Sequence, residues 1–207
     1  MAFRLGIDLG GTKIEAVIID EQFQVVKRKR VPTNREEGYE AIIETIISLS
    51  KSMIDGYEEF EGPIGICTPG TIEAETGLLK NSNTVCLIGK PIQKDMESEL
   101  GIPVLMENDA NCFALAEATL GAAKKYNVVF GVILGTGCGG GITMLKNIPR
   151  GANRIAGEWG HHCLHPGGRD CYCGNKGCVE AYISGTALEK EWYEITGEKH
   201  RVTDIID

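Results

Sequence analysis

The sequence predicts an α/β protein built from two lobes of similar plan. At residues 3–19 two β-rich runs flank a glycine-containing turn, and the same order recurs at residues 128–145. Segments with apolar residues at helical spacing lie between these units, and strands that alternate with helices are typical of α/β folds. Two such units indicate a duplicated domain in which both glycine turns face one cleft. We place the lobe boundary at residue 121, which gives lobes of residues 1–121 and 122–207.

The composition is that of a globular, acidic chain. Of 207 residues, 43% are hydrophobic, and 21 Lys and Arg stand against 29 Asp and Glu, so the formal net charge is −8. A net negative charge disfavours unspecific attraction to nucleic acid or to anionic lipid, so we expect neither as a partner. The sequence shows no secretory signal and no apolar run of about 18 residues. We therefore expect a cytoplasmic protein that does not span a membrane.

The first lobe is predicted to begin with three strands and a long amphipathic helix. Apolar-rich runs on either side of the first glycine turn form a hairpin, and a third run follows. Thr33 and Glu36 have the spacing of a capping box, and the isoleucines after them recur at helical spacing. The predicted elements are strands at 3–7, 13–19, 25–31, 63–67 and 104–106, and helices after Thr33, at 91–100 and from Asn108 or Asp109, the last with Phe113, Ala116 and Leu120 along one face.

The second lobe repeats the opening hairpin and then loses regular structure. Residues 128–145 contain two apolar runs joined by a predicted turn at Gly135–Gly141. From residue 148 to residue 178 the chain is irregular and rich in Gly, His and Cys. Thr186 and Glu189 repeat the capping-box spacing and predict a further helix. No strand unit follows that helix, so we expect the second lobe to be incomplete.

The first turn carries residues that suit a phosphate. Asp8, Gly10, Gly11, Thr12 and Lys13 lie between two predicted strands. Glycines let backbone N–H groups approach phosphate oxygens, Thr12 adds a hydroxyl, and Asp8 can hold Mg²⁺ through water. A plain hairpin turn explains the two glycines equally well. The spacing is neither that of a P-loop nor that of a dinucleotide-binding fingerprint.

The second turn is harder to explain as a bend alone. Five of the seven residues in Gly135–Gly141 are glycine. Each costs about 0.5–1 kcal/mol relative to alanine in ordered structure, so such a run is expected where side chains would collide with another group. We therefore favour a second phosphate-contacting turn over a structural bend.

Polar residues at 107–111 follow a buried strand and open a helix. Their sequence is Glu-Asn-Asp-Ala-Asn, and Asn and Asp are favoured at helix N-caps. The functional alternative makes Asp109 a general base at the mouth of a cleft and Asn108 a hydrogen-bond partner of a polar substrate. From the local sequence alone, the capping interpretation is the stronger one.

The most specific pattern is a histidine followed by three closely spaced cysteines. His161, Cys171, Cys173 and Cys178 have the residue types of a closed tetrahedral zinc site. In a reducing compartment, clustered cysteines favour a metal over disulfides. Four protein ligands leave no position for water, so the zinc is expected to be structural and its removal to destabilise the fold. The rival ligands nearby are His162, Cys163 and His165.

In this order the motifs resemble those of the ROK family (repressors, open reading frames and kinases), within the actin-like, ribonuclease H-like ATPases of the hexokinase type. The resemblance covers essentially the whole chain, and the last two motifs together are highly specific. It implies a two-lobed fold with a truncated second lobe, because family members usually continue well beyond the equivalent of Asp207. The matching segments are Asp8–Lys13, Pro69–Gly70, Glu107–Asn111, Leu134–Gly141, Gly157–His161 and Cys171–Glu180.

The resemblance implies ATP-dependent phosphorylation of a sugar hydroxyl, usually O6 of a hexose, with Mg²⁺ accompanying the ATP. Asp109 is implied to accept the proton of that hydroxyl. His161 is implied both to ligate zinc and to face the sugar. The implied sugar ligands are Gly70, Asn83, Asn108, Glu158, His161 and Glu180, and the implied ATP ligands are Asp8, Gly10, Gly11, Thr12, Lys13, Gly135, Thr136 and Gly137.

We favour a glucokinase-like hexose kinase that forms a homo-oligomer, a dimer or a tetramer. The alternatives are a kinase for N-acetylmannosamine or N-acetylglucosamine, and a sugar-binding fragment without catalysis. Repressors of the family carry a helix-turn-helix ahead of the first strand, and only a few residues precede that strand here. Two departures from the family pattern are Cys138, where an aliphatic residue is common, and Cys86–Gly89, which lack a tryptophan often found in glucokinase-like members.

Overall fold

The computed structural model describes residues 2–57, 60, 62–151, 154 and 156–206. The chain divides into two compact units, Met1–Asp109 and Ala110–Asp207. This division falls at the start of a helix, whereas the sequence places the lobe boundary after that helix, at residue 121, which stays a prediction. Within the described ranges no helix is both long enough and apolar enough to cross a membrane.

The first unit is built around a mixed sheet. Its strands and α-helices, in chain order, are β1 (Arg4–Leu9), β2 (Lys13–Ile19), β3 (Val25–Pro32), α1 (Tyr39–Ile54), β4 (Ile64–Thr68), β5 (Thr71–Ile72), β6 (Leu79–Lys80), α2 (Ile92–Leu100) and β7 (Val104–Asn108). Five strands form one sheet in the order β3-β2-β1-β4-β7, and β5 and β6 pair as a separate hairpin. β1, β2 and β3 are antiparallel, whereas β4 is parallel to β1 and to β7. The carboxyl ends of β1, β4 and β7 therefore meet at one edge of the sheet.

The core of this unit follows from alternation in the strands and helical spacing in α1. Leu5, Ile7 and Leu9 alternate with less buried residues along β1 and are almost completely buried. Ile42 and Ile46 lie one turn apart on α1 and belong to the same buried cluster. The predicted strands and the predicted helix over this region are confirmed.

β3 is an edge strand whose basic residues have partners in the same unit. The hydrogen bond from Arg30 to Glu15 on β2 holds the pKa of the Glu15 carboxyl below its usual range. Lys27 Nζ donates to the carbonyl oxygens of Ser52 and Met53, at 2.8 and 3.1 Å, near the C-terminal end of α1. A cation there complements the helix dipole, and charges on an edge strand oppose pairing with another chain. The fold itself therefore accounts for this basic run.

The predicted capping box before α1 is wrong. α1 begins at Tyr39 with Gly38 at its N-cap, and no side chain caps it. Thr33 is completely buried, and its hydroxyl donates to the carbonyl of Gly10 at 2.7 Å. A tertiary contact with the first glycine turn thus uses the hydroxyl that the local pattern assigns to the helix.

The second unit contains a hairpin, several helices and a long irregular segment. Its elements are α3 (Asp109–Thr119, which starts at the last residue of the first unit), β8 (Val128–Leu134), β9 (Cys138–Met144), α4 (Glu180–Ile183), α5 (Gly185–Thr196) and α6 (Val202–Ile206). β8 and β9 are antiparallel. The predicted capping box at Thr186 is wrong, because Ser184 caps α5 by accepting the N–H of Ala187 at 3.1 Å.

β9 and α3 lie close together, and β9 begins earlier than the sequence predicts. β9 already includes the glycines at 139–141, so the predicted seven-residue turn is wrong and only three residues form the turn. A Cβ at Gly141 would collide with the carbonyl oxygen of Ala110 at the start of α3, so packing explains this glycine. The buried face of α3 is lined by small residues, whereas Phe113, Ala116 and Leu120, predicted to share one face, are exposed, Phe113 by 41% and Leu120 by 53%.

Candidate functional site

The turn between β1 and β2 directs its carbonyls inward and leaves two amides for a ligand. The Gly10 carbonyl accepts the Thr33 hydroxyl at 2.7 Å, and the Thr12 carbonyl accepts the Thr33 N–H at 3.1 Å. The Gly10 N–H closes the turn on the Lys13 carbonyl at 3.1 Å. In the part of the chain that the structure describes, the N–H groups of Gly11 and Thr12 donate to no protein acceptor. Consecutive amides of this kind form an anion-binding concavity that suits phosphate.

Asn83 lies beside this first turn. A Cβ at Gly11 would lie 3.4 Å from Thr84 Oγ1 and 3.7 Å from Asn83 Oδ1, so both polar atoms flank the turn. Thr84 is buried, and its hydroxyl donates to Asn83 Oδ1 at 3.4 Å. The Asn83 side chain is exposed. The fold therefore places one implied sugar ligand next to an implied phosphate-binding turn.

Asp8 lies at the edge of the sheet where β1 ends. Its side chain is exposed, as is that of Lys13 at the start of β2. Asp8 is paired in register with Cys67 on β4, and Cys67 Sγ lies 3.5 Å from Asp8 Oδ1, where the thiol can donate a hydrogen bond. The sequence does not predict a contact of Cys67 with Asp8, because only the parallel pairing of two strands far apart in sequence brings them together.

The carboxyl end of β7 carries Asn108 and leads directly into Asp109. Asn108 is buried, and its Nδ2 donates to the carbonyl of Gly70 at 3.2 Å. Gly70 has a φ of +95°, and a Cβ there would collide with the carbonyl of Lys80, so the fold alone requires glycine at this position. Asp109 is exposed at the first residue of α3. The positive end of a helix dipole favours an ionised carboxylate at such a position.

The turn between β8 and β9 is constructed in the same way as the first. The Gly135 carbonyl accepts the N–H of Gly185 and the Thr136 carbonyl accepts the hydroxyl of Thr186, both at 2.8 Å. The Gly135 N–H closes the turn on the Gly137 carbonyl at 2.9 Å. Among the described residues, no acceptor pairs with the N–H of Thr136 or of Gly137. A Cβ at Gly135 would meet no atom within 4 Å, so packing inside the chain does not explain that glycine.

Two side chains from outside the hairpin hold the start of β9. Trp159 Nε1 donates to the carbonyl of Gly139 at 2.7 Å, and Glu180 Oε2 accepts the N–H of Cys138 at 2.8 Å. Glu158, the neighbour of Trp159, is exposed. The sequence does not predict this role of Trp159, since the acceptor of its indole N–H is a backbone carbonyl twenty residues away.

Four side chains form a cluster with the geometry of a zinc site. Their ligand atoms all lie within 4.8 Å of one another. Cys171 Sγ lies 3.6 Å from His161 Nδ1, and Cys173 Sγ lies 3.7 Å from Cys178 Sγ. A tetrahedral zinc, with Zn–S of about 2.3 Å and Zn–N of about 2.0–2.1 Å, separates sulfur from nitrogen by about 3.6 Å and sulfur from sulfur by about 3.8 Å. The residues therefore fit zinc. The cluster consists of His161, Cys171, Cys173 and Cys178.

Backbone turns bring the cysteines of this cluster together. The Cys171 N–H donates to the carbonyl of Asn175 at 2.9 Å, and the Gly174 N–H donates to the carbonyl of Cys171 at 3.0 Å. Gly174 and Gly177 have φ values of +90° and +75°, which favour glycine. A Cβ at Gly177 would also collide with the carbonyl of His165. The glycines between the cysteines thus serve the turns that gather the thiols.

Without a cation, the surroundings shift the pKa values of two thiols of the cluster in opposite directions, and a hydrogen bond with the backbone of Asn175 lowers the pKa of the Cys173 thiol. Burial, and then hydrogen bonding with the neighbouring cysteines, raises the pKa of the Cys178 thiol to about 12. Zinc reverses the effect at Cys178, because the thiolate is the ligand. His161 Nε2 lies 3.2 Å from the Tyr172 hydroxyl, so Nδ1 is the ring nitrogen that faces the sulfurs. The rival ligands His162, Cys163 and His165 do not belong to the metal-binding group found among the described residues.

The α/β architecture, with its mixed sheet, is the actin-like fold of the hexokinase type. More narrowly, the chain belongs to the ROK family, whose sequence model matches residues 4–207. The N-acetyl-D-glucosamine kinases of Vibrio cholerae and Yersinia enterocolitica are 40% and 38% identical to it over 211 residues. Those alignments cover 97% of this chain and 69% of each relative.

Solved structures of ROK enzymes have the same fold. The ROK hexokinase from Thermus thermophilus matches with a TM-score of 0.85 and 34% identity, over 96% of this chain and 66% of that chain. A ROK family glucokinase from Streptomyces griseus, solved with glucose and AMPPNP, matches with a TM-score of 0.77 and 32% identity, over 94% and 62% of the two chains. The chain thus spans about two thirds of the length of the proteins that it matches.

Proposed function

We propose that this protein transfers the γ-phosphate of ATP to a hydroxyl of a hexose. The observation that carries this proposal is the shared construction of the two turns, in which carbonyls bond inward and two consecutive amides are left for a ligand. Phosphoryl transfer depends on positioning and on stabilisation of charge, and amide-lined turns supply both for phosphate groups. The names of the relatives, which are N-acetylglucosamine kinase, hexokinase and glucokinase, support the same activity.

In this proposal both turns bind the phosphates of ATP. The turns contribute backbone N–H groups, and Thr12 and Lys13 add a hydroxyl and a positive charge. Asp8 is the residue that would hold Mg²⁺ through water, and the ion would neutralise charge on the phosphates. That both turns line one cleft stays a prediction. The proposed ATP ligands are Asp8, Gly10, Gly11, Thr12, Lys13, Gly135, Thr136 and Gly137.

Asp109 is proposed as the general base. A sugar hydroxyl is a poor nucleophile at neutral pH, and a carboxylate within hydrogen-bond reach can take its proton during transfer. Asn108 directly precedes Asp109, and its side-chain amide, which donates to the carbonyl of Gly70, is of a type that binds sugar hydroxyls. The proposed sugar ligands are Gly70, Asn83, Asn108, Glu158, His161 and Glu180.

We further propose that the Cys/His cluster holds a structural zinc ion. The distances within the cluster support this ion, and four protein ligands leave no open position for water or substrate. Zinc would fix the loop that carries His161, and it would thereby fix the orientation of the imidazole. Carboxylates and amides of the chain, and not the zinc ion, would then take part in the chemistry on the sugar.

Two classes of sugar are candidates for the acceptor. The primary proposal is a hexose such as glucose, phosphorylated at O6. The second candidate is N-acetylglucosamine or N-acetylmannosamine, and the observation that favours this class is that the relatives at 38–40% identity are N-acetyl-D-glucosamine kinases. The expected homo-oligomer also stays a prediction, which sedimentation of the purified protein tests.

A coupled assay of ADP release tests the proposed function. The protein is incubated with MgATP and, separately, with glucose, mannose, N-acetylglucosamine and N-acetylmannosamine. We expect sugar-dependent ADP release with one class and a phosphorylated product of matching mass, with ADP release near background when sugar is omitted. Calorimetric binding of a sugar without any turnover would support the non-catalytic alternative instead. The absence of both binding and turnover with every sugar of the panel would contradict the proposal.

A further inference from the structure

Glu180 makes a contact that a role as a sugar ligand alone does not require. It is the first residue of α4, two positions after the cluster cysteine Cys178, and it is half-buried. Its Oε2 accepts the N–H of Cys138, the residue that follows the second turn, at 2.8 Å. A hydrogen bond from a backbone amide to an ionised carboxylate is stronger than one between neutral groups.

Gly137 provides the space for this contact. A Cβ at Gly137 would lie 2.5 Å from Glu180 Oε2, so any side chain at that position displaces the carboxylate. The electrostatics agree with the geometry, since burial and the nearby charge of Glu180 raise the pKa of the Cys138 thiol. Packing within the protein therefore explains the glycine at 137, whereas it does not explain the glycine at 135.

The backbone at Glu180 is hydrogen-bonded to the loop that carries His161 of the Cys/His cluster. The Glu180 N–H donates to the carbonyl of Gly160 at 2.9 Å, and the preceding Val179 N–H donates to the carbonyl of His162 at 2.9 Å. These two acceptors flank His161. Glu180 thus connects the loop around His161, through its own backbone, to the second turn, through its carboxylate.

We infer that Glu180 is a positioning residue for the second turn, and that its carboxylate couples the proposed sugar and nucleotide sites. Oε2 holds the Cys138 amide, so that the N–H groups of Thr136 and Gly137 keep their outward direction, and Oε1 is left for a sugar hydroxyl. The inference rests on the proposed function for its kinetic consequence. Its structural part, the fixing of the turn by the carboxylate, does not depend on any substrate.

Two substitutions separate positioning from sugar binding. Glu180→Gln keeps an oxygen that can accept the Cys138 N–H but removes the charge offered to the sugar, whereas Glu180→Ala removes both. We expect the KM for ATP to rise about tenfold or more in Glu180→Ala and to stay within about threefold of the parent in Glu180→Gln, while both raise the KM for sugar. Glu194→Ala, on the exposed part of α5, is the matched control. An unchanged KM for ATP in Glu180→Ala would overturn the inference.

Amide hydrogen exchange of Cys138 tests the same inference without any activity. We expect exchange at Cys138 to accelerate about tenfold or more in Glu180→Ala and to change little in Glu180→Gln. Gly137→Ala should reproduce the acceleration, because its methyl group occupies the place of Oε2, and it serves if Glu180→Ala does not fold. Exchange that is equal in parent, Glu180→Ala and Gly137→Ala would contradict the positioning role. If exchange responds but no sugar is phosphorylated, the proposed function fails and the contact stands.

Discussion

Asp109 illustrates how one residue supports two interpretations that a conservative substitution separates. As the first residue of α3 it lies at the positive end of the helix dipole, which favours the charged carboxylate that a general base requires. Asp109→Asn keeps the shape and removes the base, so we expect turnover to fall by about 10²–10⁴-fold, with a much smaller change in sugar affinity. Steady-state kinetics with saturating sugar measures the effect.

The capping interpretation of Asp109 gives the opposite result. If Asp109 serves only the start of α3, Asn at this first helical position would change helix stability by about 1 kcal/mol or less, and activity would barely change. A thermal unfolding curve recorded beside the kinetics verifies that both proteins are folded. Activity of Asp109→Asn within about threefold of the parent would therefore reject the general base and leave the cap.

Single residues were predictable from the sequence where their surroundings are local. The position of Gly10, Gly11 and Thr12 in a turn is an example, since these residues join two strands that are consecutive in the sequence. Cys67 was not predictable, because the register of β1 against β4 decides that it faces Asp8. Thr33 was predicted to cap a helix. Its hydroxyl instead donates to the partly buried carbonyl of Gly10, because this tertiary hydrogen bond is favoured over one with an exposed backbone N–H of the nearby helix.

At the scale of elements, the loop that carries the Cys/His cluster gives the sharpest prediction. We expect about one zinc per chain after expression in zinc-replete medium, and Cys171→Ser should lower Tm by about 5 °C or more, since each kcal/mol shifts Tm by about 2–4 °C in a chain of this size. Cys163→Ser is the matched control, because Cys163 is an exposed cysteine outside the cluster. Less than about half an equivalent of zinc, or equal Tm changes in the two variants, would count against the metal site.

The elements themselves were predicted well where one physical pattern decides them. Alternation in β1 and β2 and helical spacing in α1 reflect a single buried face, and those elements appear as expected. The ends were predicted poorly. Gly141 was predicted to belong to a turn, but it lies in β9 and allows close packing of α3. The sequence around Gly141 does not reveal the contact with Ala110. The cap of α5 was misplaced by two residues for a similar reason, since Thr186 bonds the second turn.

At the scale of the whole molecule, the two units differ in how they bury apolar side chains. Among the described residues, the large side chains that are completely buried all belong to the first unit, and Ile42, Ile46 and Met96 are examples. In the described part of the second unit, the buried apolar side chains are those of alanines, of two cysteines and of Val179. Burial of a large side chain contributes about 1.5–3 kcal/mol, so the first unit has more of this stabilisation than the second.

This asymmetry predicts that removal of zinc acts on one unit only. Structural zinc contributes apparent binding free energies of about 10–16 kcal/mol in small domains, and a unit with few large buried side chains depends on that contribution. With excess chelator we expect hydrogen exchange to accelerate at residues 138–144 and 160–183, whereas β1, β4 and α1 keep their protection. Zinc added back should restore the second unit, and the same excess of Mg²⁺ should not, which separates the cluster from any ion at Asp8. Exchange that accelerates equally in both units would show that the cluster does not stabilise its own unit selectively, and exchange that does not change would show that the fold needs no metal.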